Sequence, residues 1–349
     1  MTGAPSDSFR RGVLASPDAR EREGALPAGA QRNWSRGLYA AGVSTSRRSS
    51  THAALVLVIL AAVFATGCRN TSPSTSVASA LSANPFRTGR TLVIPHNGGD
   101  GDYPADTLVA LESSMAAGGE VVDVDVSLTA DGQLVAFHDA TVDAITGGHG
   151  EVAKMTLAEL EQLDAGWGFT APDGSHPFRG KGVRVPLVRD LLDRFPNAFV
   201  SLDLKDLGTD IVRPVCKLLH QTGRLATTFV GSDGDAQIIE MRRQCPDVHT
   251  TYNMVDVRAT RAAETANDVT FTPPAFVDQP PYRIGSSGTP IVTQASLAFA
   301  HAHGLAVMTW VIDDEPTMKL LVNMGVDGIY TRKPALLAKV VKQHHQSSP

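Results

Sequence analysis

From Thr91 onward the sequence alternates short β-branched runs with longer helical stretches, and this rhythm, kept up over roughly 250 residues, leaves few folds open. Leu92–Pro95, Val121–Val126, Leu134–Phe137, Phe199–Leu204, Thr227–Val230, His249–Tyr252, Val269–Thr272, Val307–Val311 and Gly328–Tyr330 read as strands. Thr107–Ala117, Leu157–Leu163, Ile211–Thr222, Ala236–Gln244, Gln294–His303, Glu315–Met324 and Ala335–Lys342 read as helices between them. Repeated strand–helix units predict an α/β chain closed into a (β/α)8 barrel. The reading counts nine strands, one more than a barrel needs, so one is spurious or belongs to an extra hairpin. Only seven residues, Ser127 to Gln133, separate the second strand from the third. A parallel crossover needs about a dozen or more. The barrel is therefore expected to be irregular there, with a small insertion after the third strand formed by the Gly- and Pro-rich stretch Asp139 to Val185.

Residues 1–68 read as an export signal. Ala53 to Ala65 is an unbroken apolar run of thirteen residues, preceded by Arg47-Arg48 and ending Ala65-Thr66-Gly67-Cys68. A membrane span needs about 20 apolar residues, so the run suits a signal h-region better than a helix that crosses a bilayer. Small residues before a cysteine resemble a bacterial lipobox, which makes Cys68 the expected lipidated residue; plain secretion or an uncut anchor are the alternatives. Residues 69–90, rich in Ser, Thr, Ala and Asn, read as a flexible tether, and 91–345 as the folded domain. Residues 1–67 hold eight Lys and Arg against four Asp and Glu, so the rest carries 23 basic against 32 acidic side chains, a net −9. That balance suits cations and argues against nucleic acid as a partner. No protein partner is indicated. The expectation is an exported enzyme of the cell envelope, held at the membrane by its lipid or secreted. Three cysteines are too few for a disulfide framework. Cys216 and Cys245 fall on consecutive predicted helices, where they either pair or remain buried thiols.

Four strand ends carry unusual side chains. His96 follows Val93-Ile94-Pro95, and His138-Asp139 follows Leu134-Val135-Ala136-Phe137. Asp123 and Asp125 alternate with valines, while Asp203 and Lys205 flank Leu204. Side chains two apart on a strand share a face. Each pair therefore points the same way, at the carboxyl ends of strands where barrel enzymes react. Two carboxylates inside an apolar strand repel one another unless a cation, a lysine or a proton offsets them. An all-oxygen set suits a hard cation.

These motifs, in this order, resemble the glycerophosphodiester phosphodiesterase family. The family's His-Arg-Gly is matched by His96-Asn97-Gly98, and its Pro-Glu-Asn-Thr by Pro104-Ala105-Asp106-Thr107. Asp123-Val124-Asp125 stands for its Glu-x-Asp, Thr129-Ala130-Asp131-Gly132 for its Thr-x-Asp-Gly, His138-Asp139 for its His-Asp, and Asp203-Leu204-Lys205 for its Glu-x-Lys. Met308-Thr309-Trp310-Val311 matches the late tryptophan strand, and Gly325 to Pro334 the closing motif. The resemblance implies an irregular TIM barrel. It implies a divalent cation, Ca2+ or Mg2+, on Asp123, Asp125 and Asp203, with His96 and His138 as general acid and base. The substrate would be a small-molecule phosphodiester, contacted by Lys205, Asn97 and Trp310. Asn97 replaces an Arg, Ala105 a Glu and Arg332 an Asp, so a barrel that binds phosphodiesters or glycans without turning them over is the competing expectation.

Overall fold

The computed structural model describes residues 84–205, 208–284 and 288–347. The export segment, Cys68 and the tether up to residue 83 lie outside the described residues. In chain order the elements are β1 (Leu92–Pro95), α1 (Leu108–Ala116), β2 (Val121–Leu128), β3 (Leu134–Ala136), α2 (Asp143–Thr146), α3 (Leu157–Leu160) and α4 (Val188–Arg194). There follow β4 (Phe199–Leu204), α5 (Val212–Thr222), β5 (Thr228–Ser232), α6 (Asp235–Gln244), β6 (His249–Thr250), α7 (Met254–Ala266) and β7 (Val277–Asp278). A small hairpin, β8 (Arg283–Ile284) and β9 (Thr289–Pro290), leads to α8 (Gln294–Ala302), β10 (Ala306–Thr309), α9 (Glu315–Met324), β11 (Gly328–Thr331) and α10 (Pro334–Ser347).

The parallel strands run in the orders β2-β4-β5-β6 and β1-β11-β10-β7. A parallel bridge from Thr251 to Val277 joins the first group to the second beyond β6. On the other side Glu120 N–H donates to the Val93 carbonyl at 2.9 Å, bringing β2 beside β1. Eight parallel strands thus follow one another around an α/β barrel. β3 is the surplus ninth: it pairs antiparallel with β2 through Val126–Ala136 and Leu128–Leu134, as the short connection predicted.

Alternation decides where each strand residue goes. Val122, Val124 and Val126 of β2, with Val200, Leu202 and Leu204 of β4, pack outward against Leu191, Val215 and Leu219 of the surrounding helices. Val121 instead joins Leu92, Ile94, Phe229, Met308 and Tyr330 inside the barrel, where Phe86 fills the lower end with its ring 4.9 Å from that of Phe229. A fully buried side chain of this size contributes about 1.5–3 kcal/mol, so the two layers hold the barrel by ordinary apolar burial. The insertion has its own small core of Val135, Phe137, Val142, Val152, Leu160 and Val185.

One expected element needs correction. The strand expected at Val269–Thr272 is absent; Val269 is 80 % exposed, and the strand is β7, where Val277 is fully buried. Three helices, α2, α4 and α7, and the β8–β9 hairpin did not stand out in the sequence. The buried face of α7 is Asp256, Thr260 and Ala263, too polar to show as a stripe, although Asn253 and Asp256 form a capping box at its start.

Candidate active site

The register of β2 against β4 builds the site. Asp123 lies beside Ser201 and Asp125 beside Asp203, so two rungs of neighbouring strands present polar groups on the inner face. Asp123 and Asp125 are buried, and Asp203 is half-buried at the mouth. Lys205, just past β4, places Nζ 2.6 Å from Asp203 Oδ2 and 3.1 Å from Asp125 Oδ1. Burial opposes its charge, yet the two carboxylates outweigh that and raise its pKa.

β1 ends in a tight turn, His96 to Gly98, with Asn97 in the left-handed region at φ 46°. That turn is held from behind by Ser114 of α1, whose hydroxyl donates to the Gly98 carbonyl at 2.7 Å. It is also what aims Asn97: its backbone N–H donates to Asp123 Oδ2 at 3.0 Å, and its side-chain amide to Asp125 Oδ2 at 2.7 Å. The Asn97 amide is therefore committed to Asp125. His96 Nδ1 sits 3.1 Å from Asp100 Oδ1. Burial works against its protonation, but Asp100, Asp123 and Asp125 together raise its pKa above the ordinary imidazole value. His138, at the end of the β3 segment, is exposed and holds Asp139 Oδ1 at 2.7 Å through Nδ1. That hydrogen bond raises the His138 pKa, and the charge of Asp125 adds to it. In both rings a carboxylate takes Nδ1–H and leaves Nε2 for other work.

Asp106 is the site residue that strand alternation does not reveal. It arrives from the loop before α1 with φ 58°, its N–H donating to the Asn97 carbonyl at 2.9 Å and its Oδ1 accepting the Asp125 N–H at 3.0 Å. It is buried, and burial together with the Asp125 charge pushes its carboxyl well above the usual range. Its signal in the sequence was the aspartate in Pro104-Ala105-Asp106-Thr107, where the resembled motif has Asn. Burial likewise pushes Asp123 up to about 7 and raises Asp125, the latter restrained by Lys205.

The remaining expected residues fall around this centre. Trp310 is partly buried and donates Nε1–H to the Gln279 carbonyl at 2.7 Å; the Gln279 amide donates to the Tyr330 hydroxyl, which meets Ser201 Oγ at 3.1 Å. Ser201 in turn bonds Asp123, so Trp310 reaches the acids through a polar chain. Arg332 is satisfied by Asp313, with Nε 2.7 Å from Oδ2. Ala105, Asp106 and His138 line one small cavity of about 10 Å3 with Phe137 and Val185. A far larger groove of about 950 Å3 lies between α1, the insertion and α4, lined by Leu108, Phe178 and Val185, and holds none of these acids or histidines.

The donor set fits a hard divalent cation by its chemistry. Asp106, Asp123 and Asp125 are buried carboxylates, with Asp203 beside them, and one lysine does not balance them. Among the described residues the three expected ligands do not bring one oxygen each within 4.8 Å of one another; Lys205 occupies the gap between Asp125 and Asp203. A cation held between Asp125 and Asp203 would need Lys205 to give way.

Comparison with known proteins agrees with this fold. Residues 96–336 match the Glycerophosphoryl diester phosphodiesterase family. A glycerophosphodiester phosphodiesterase of Bacillus subtilis is 26% identical over 282 residues, covering 77% of this chain and 92% of that protein. The glycerophosphoryl diester phosphodiesterase domain of a Mycobacterium tuberculosis protein superposes with a TM-score of 0.64 at 21% identity, covering 72% of this chain and 98% of that one. An Oleispira antarctica phosphodiesterase, solved in complex with the product sn-glycerol-3-phosphate, gives 0.59 at 22% identity over 72% of this chain and 97% of its own.

Proposed function

The chain belongs to the glycerophosphoryl diester phosphodiesterase family, and from that premise we propose that it hydrolyses glycerophosphodiesters to an alcohol and glycerol 3-phosphate through His96 and His138. One observation carries the reading: each imidazole has Nδ1 tied to its own carboxylate, and the charge of the buried Asp125 reaches both. A phosphodiester repels nucleophiles by its own negative charge. A divalent cation, Ca2+ or Mg2+, held by Asp123, Asp125 and Asp203 would neutralise that charge and the charge that develops at the leaving oxygen.

The chain's own groups do the rest. One imidazole accepts the proton of the attacking hydroxyl at Nε2, and the other delivers a proton to the departing alkoxide. Asp100 and Asp139 fix the tautomer of each ring by accepting Nδ1–H. Lys205 offers a point charge to a phosphate oxygen once it leaves the Asp125–Asp203 gap. Trp310 borders the glycerol end. From the apolar run and the lipobox-like end of residues 1–68 we further propose that the enzyme is exported to the cell envelope and tethered through Cys68. The Cys216–Cys245 disulfide supports an oxidising compartment.

The test is release of glycerol 3-phosphate from glycerophosphocholine. Turnover that is lost with chelator and restored by Ca2+ or Mg2+ supports the proposal. Binding of the diester without turnover, under every cation tried, would instead favour the silent barrel.

A further inference from the structure

On the outer ring of helices, far from the strand ends, Cys216 and His220 stand four residues apart on α5, which puts them on one face. Cys245 follows the last turn of α6, and Asp247 comes two residues later. The structure joins Cys216 to Cys245 as a disulfide, linking the two helices that follow β4 and β5. His220 Nε2 lies 3.7 Å from Cys245 Sγ and 3.5 Å from Asp247 Oδ2. Among the described residues, Cys216, His220 and Cys245 are the one trio of metal-ligating side chains whose donor atoms all lie within 4.8 Å of one another.

The geometry points to a redox-dependent zinc site: when the disulfide is reduced, Cys216, Cys245, His220 and Asp247 bind one Zn2+ and so keep α5 and α6 joined. A tetrahedral ion with Zn–S of about 2.3 Å and Zn–N of about 2.0–2.1 Å holds its ligand atoms about 3.5–3.8 Å apart. The two contacts of His220 are close to that spacing; the bond between the sulfurs has to open, and the Asp247 carboxylate has to turn from His220 toward them. A dithiol opens that bond. Its thiolate attacks one sulfur, the protein S–S bond breaks, and the second thiol closes the mixed disulfide. The dithiol leaves as a cyclic disulfide, and the protein has gained two electrons and two protons. Zn2+ then displaces the two thiol protons, while His220 lends the lone pair of Nε2 and Asp247 a carboxylate oxygen. Sulfur ligands select a soft ion, unlike the all-oxygen set inside the barrel, so the two sites differ in the metal they take. Cys245 is buried and His220 half exposed, which shields the sulfur and leaves the ion an entry path.

The experiment uses the full chain, oxidised or reduced with dithiothreitol and desalted without oxygen, and titrates it with Co2+ as a visible stand-in. The reduced chain should bind one equivalent with a thiolate-to-cobalt charge-transfer band, bleached by stoichiometric Zn2+, while the oxidised chain shows none. Cys216→Ser, which leaves Cys68 in place, should abolish the band. His220→Ala, which keeps both cysteines, should weaken binding at least about tenfold. A reduced chain without the band, or one that binds equally well after His220→Ala, overturns the site. So does a reduced chain whose circular dichroism is that of an unfolded protein, since its thiols would then bind without the fold.

Discussion

Asp125 and Asp139 are the same side chain in two tiers of one site, and their surroundings push them in opposite directions. On the floor, Asp106, Asp123 and Asp125 are buried, and burial raises all three carboxyls. At the rim, Asp139 is half-exposed, and its hydrogen bond to His138 lowers it. On the proposed mechanism a cation would relieve the burial of charge on the floor, and the rim would supply a mobile proton. Catalysis and stability should therefore separate by tier.

The largest effect tests the rim. His138→Ala should lower turnover at least about 10²-fold, because it removes one partner of the acid–base pair. The ring is exposed and, among the described residues, is held by its neighbour Asp139, so its loss should leave the melting temperature nearly unchanged. Undiminished turnover would remove His138 from the mechanism, and a large drop in melting temperature would erase the distinction between tiers.

The next effect tests the floor. A cation that binds only the folded chain stabilises it by about 2.7 kcal/mol at a hundred times its dissociation constant. Thermal melts with Ca2+ or Mg2+ against chelator should show that rise, and Asp125→Asn should cancel it. A parent whose melting point ignores both ions would count against the cation site.

Much of this site was legible before any coordinates, because period-2 alternation alone puts Asp123 with Asp125 and Asp203 with Lys205 on the inner face, where Lys205 joins Asp125 to Asp203. The rung of Asp123 with Ser201 obeys the same rule but did not stand out in the sequence. Asp106 was not, since it reaches the floor through a left-handed turn that no periodicity announces. Nor did the sequence show that the Asn97 amide is committed to Asp125. In the fold, long β-branched runs marked β1, β2 and β4 well. β7 has only two residues, and its place was taken in the reading by Val269–Thr272, which has strand-forming residues but no partner to bury against.

Asn97 offers a way to join the tiers. Asn97→Arg would set a guanidinium beside Asp123 and Asp125, neutralising part of the floor and offering a bidentate donor to phosphate. If the group reaches the substrate, KM for glycerophosphocholine should fall by a factor worth about 1–3 kcal/mol. A higher KM would mean that the committed amide, rather than the missing charge, is what the pocket needs, and a bulkier or sugar-bearing diester becomes the better candidate.

The smallest effect isolates Asp106 through pH. The Asp123 carboxyl has a folded value of about 7 against an ordinary 3.8. Between those values the folded chain keeps a proton that the unfolded chain releases. Stability in chelator must then fall as pH rises through that window, by up to about 1.4 kcal/mol per pH unit for each such proton. Asp106 and Asp125 are raised too and act in the same sense. His96 and His138, also raised, contribute stability below pH 6.5 that is lost as pH climbs through their folded values. Asp139 acts the other way, since its carboxyl is lowered and its contribution is lost only as pH falls through the acid range. Carboxylates elsewhere add slopes of their own, so the informative quantity is a difference. Asp106→Asn keeps an oxygen to accept the Asp125 N–H and removes one titrating group from the floor. Denaturant melts in chelator at pH 5 and pH 7 should therefore show the parent losing more stability than Asp106→Asn. Saturating cation should shrink the gap, because it holds the acids ionised at both pH values. Equal losses in parent and variant would mean that folded Asp106 is ionised at both pH values, as it is in the unfolded chain, and the proton-holding floor would then consist of Asp123 and Asp125 alone.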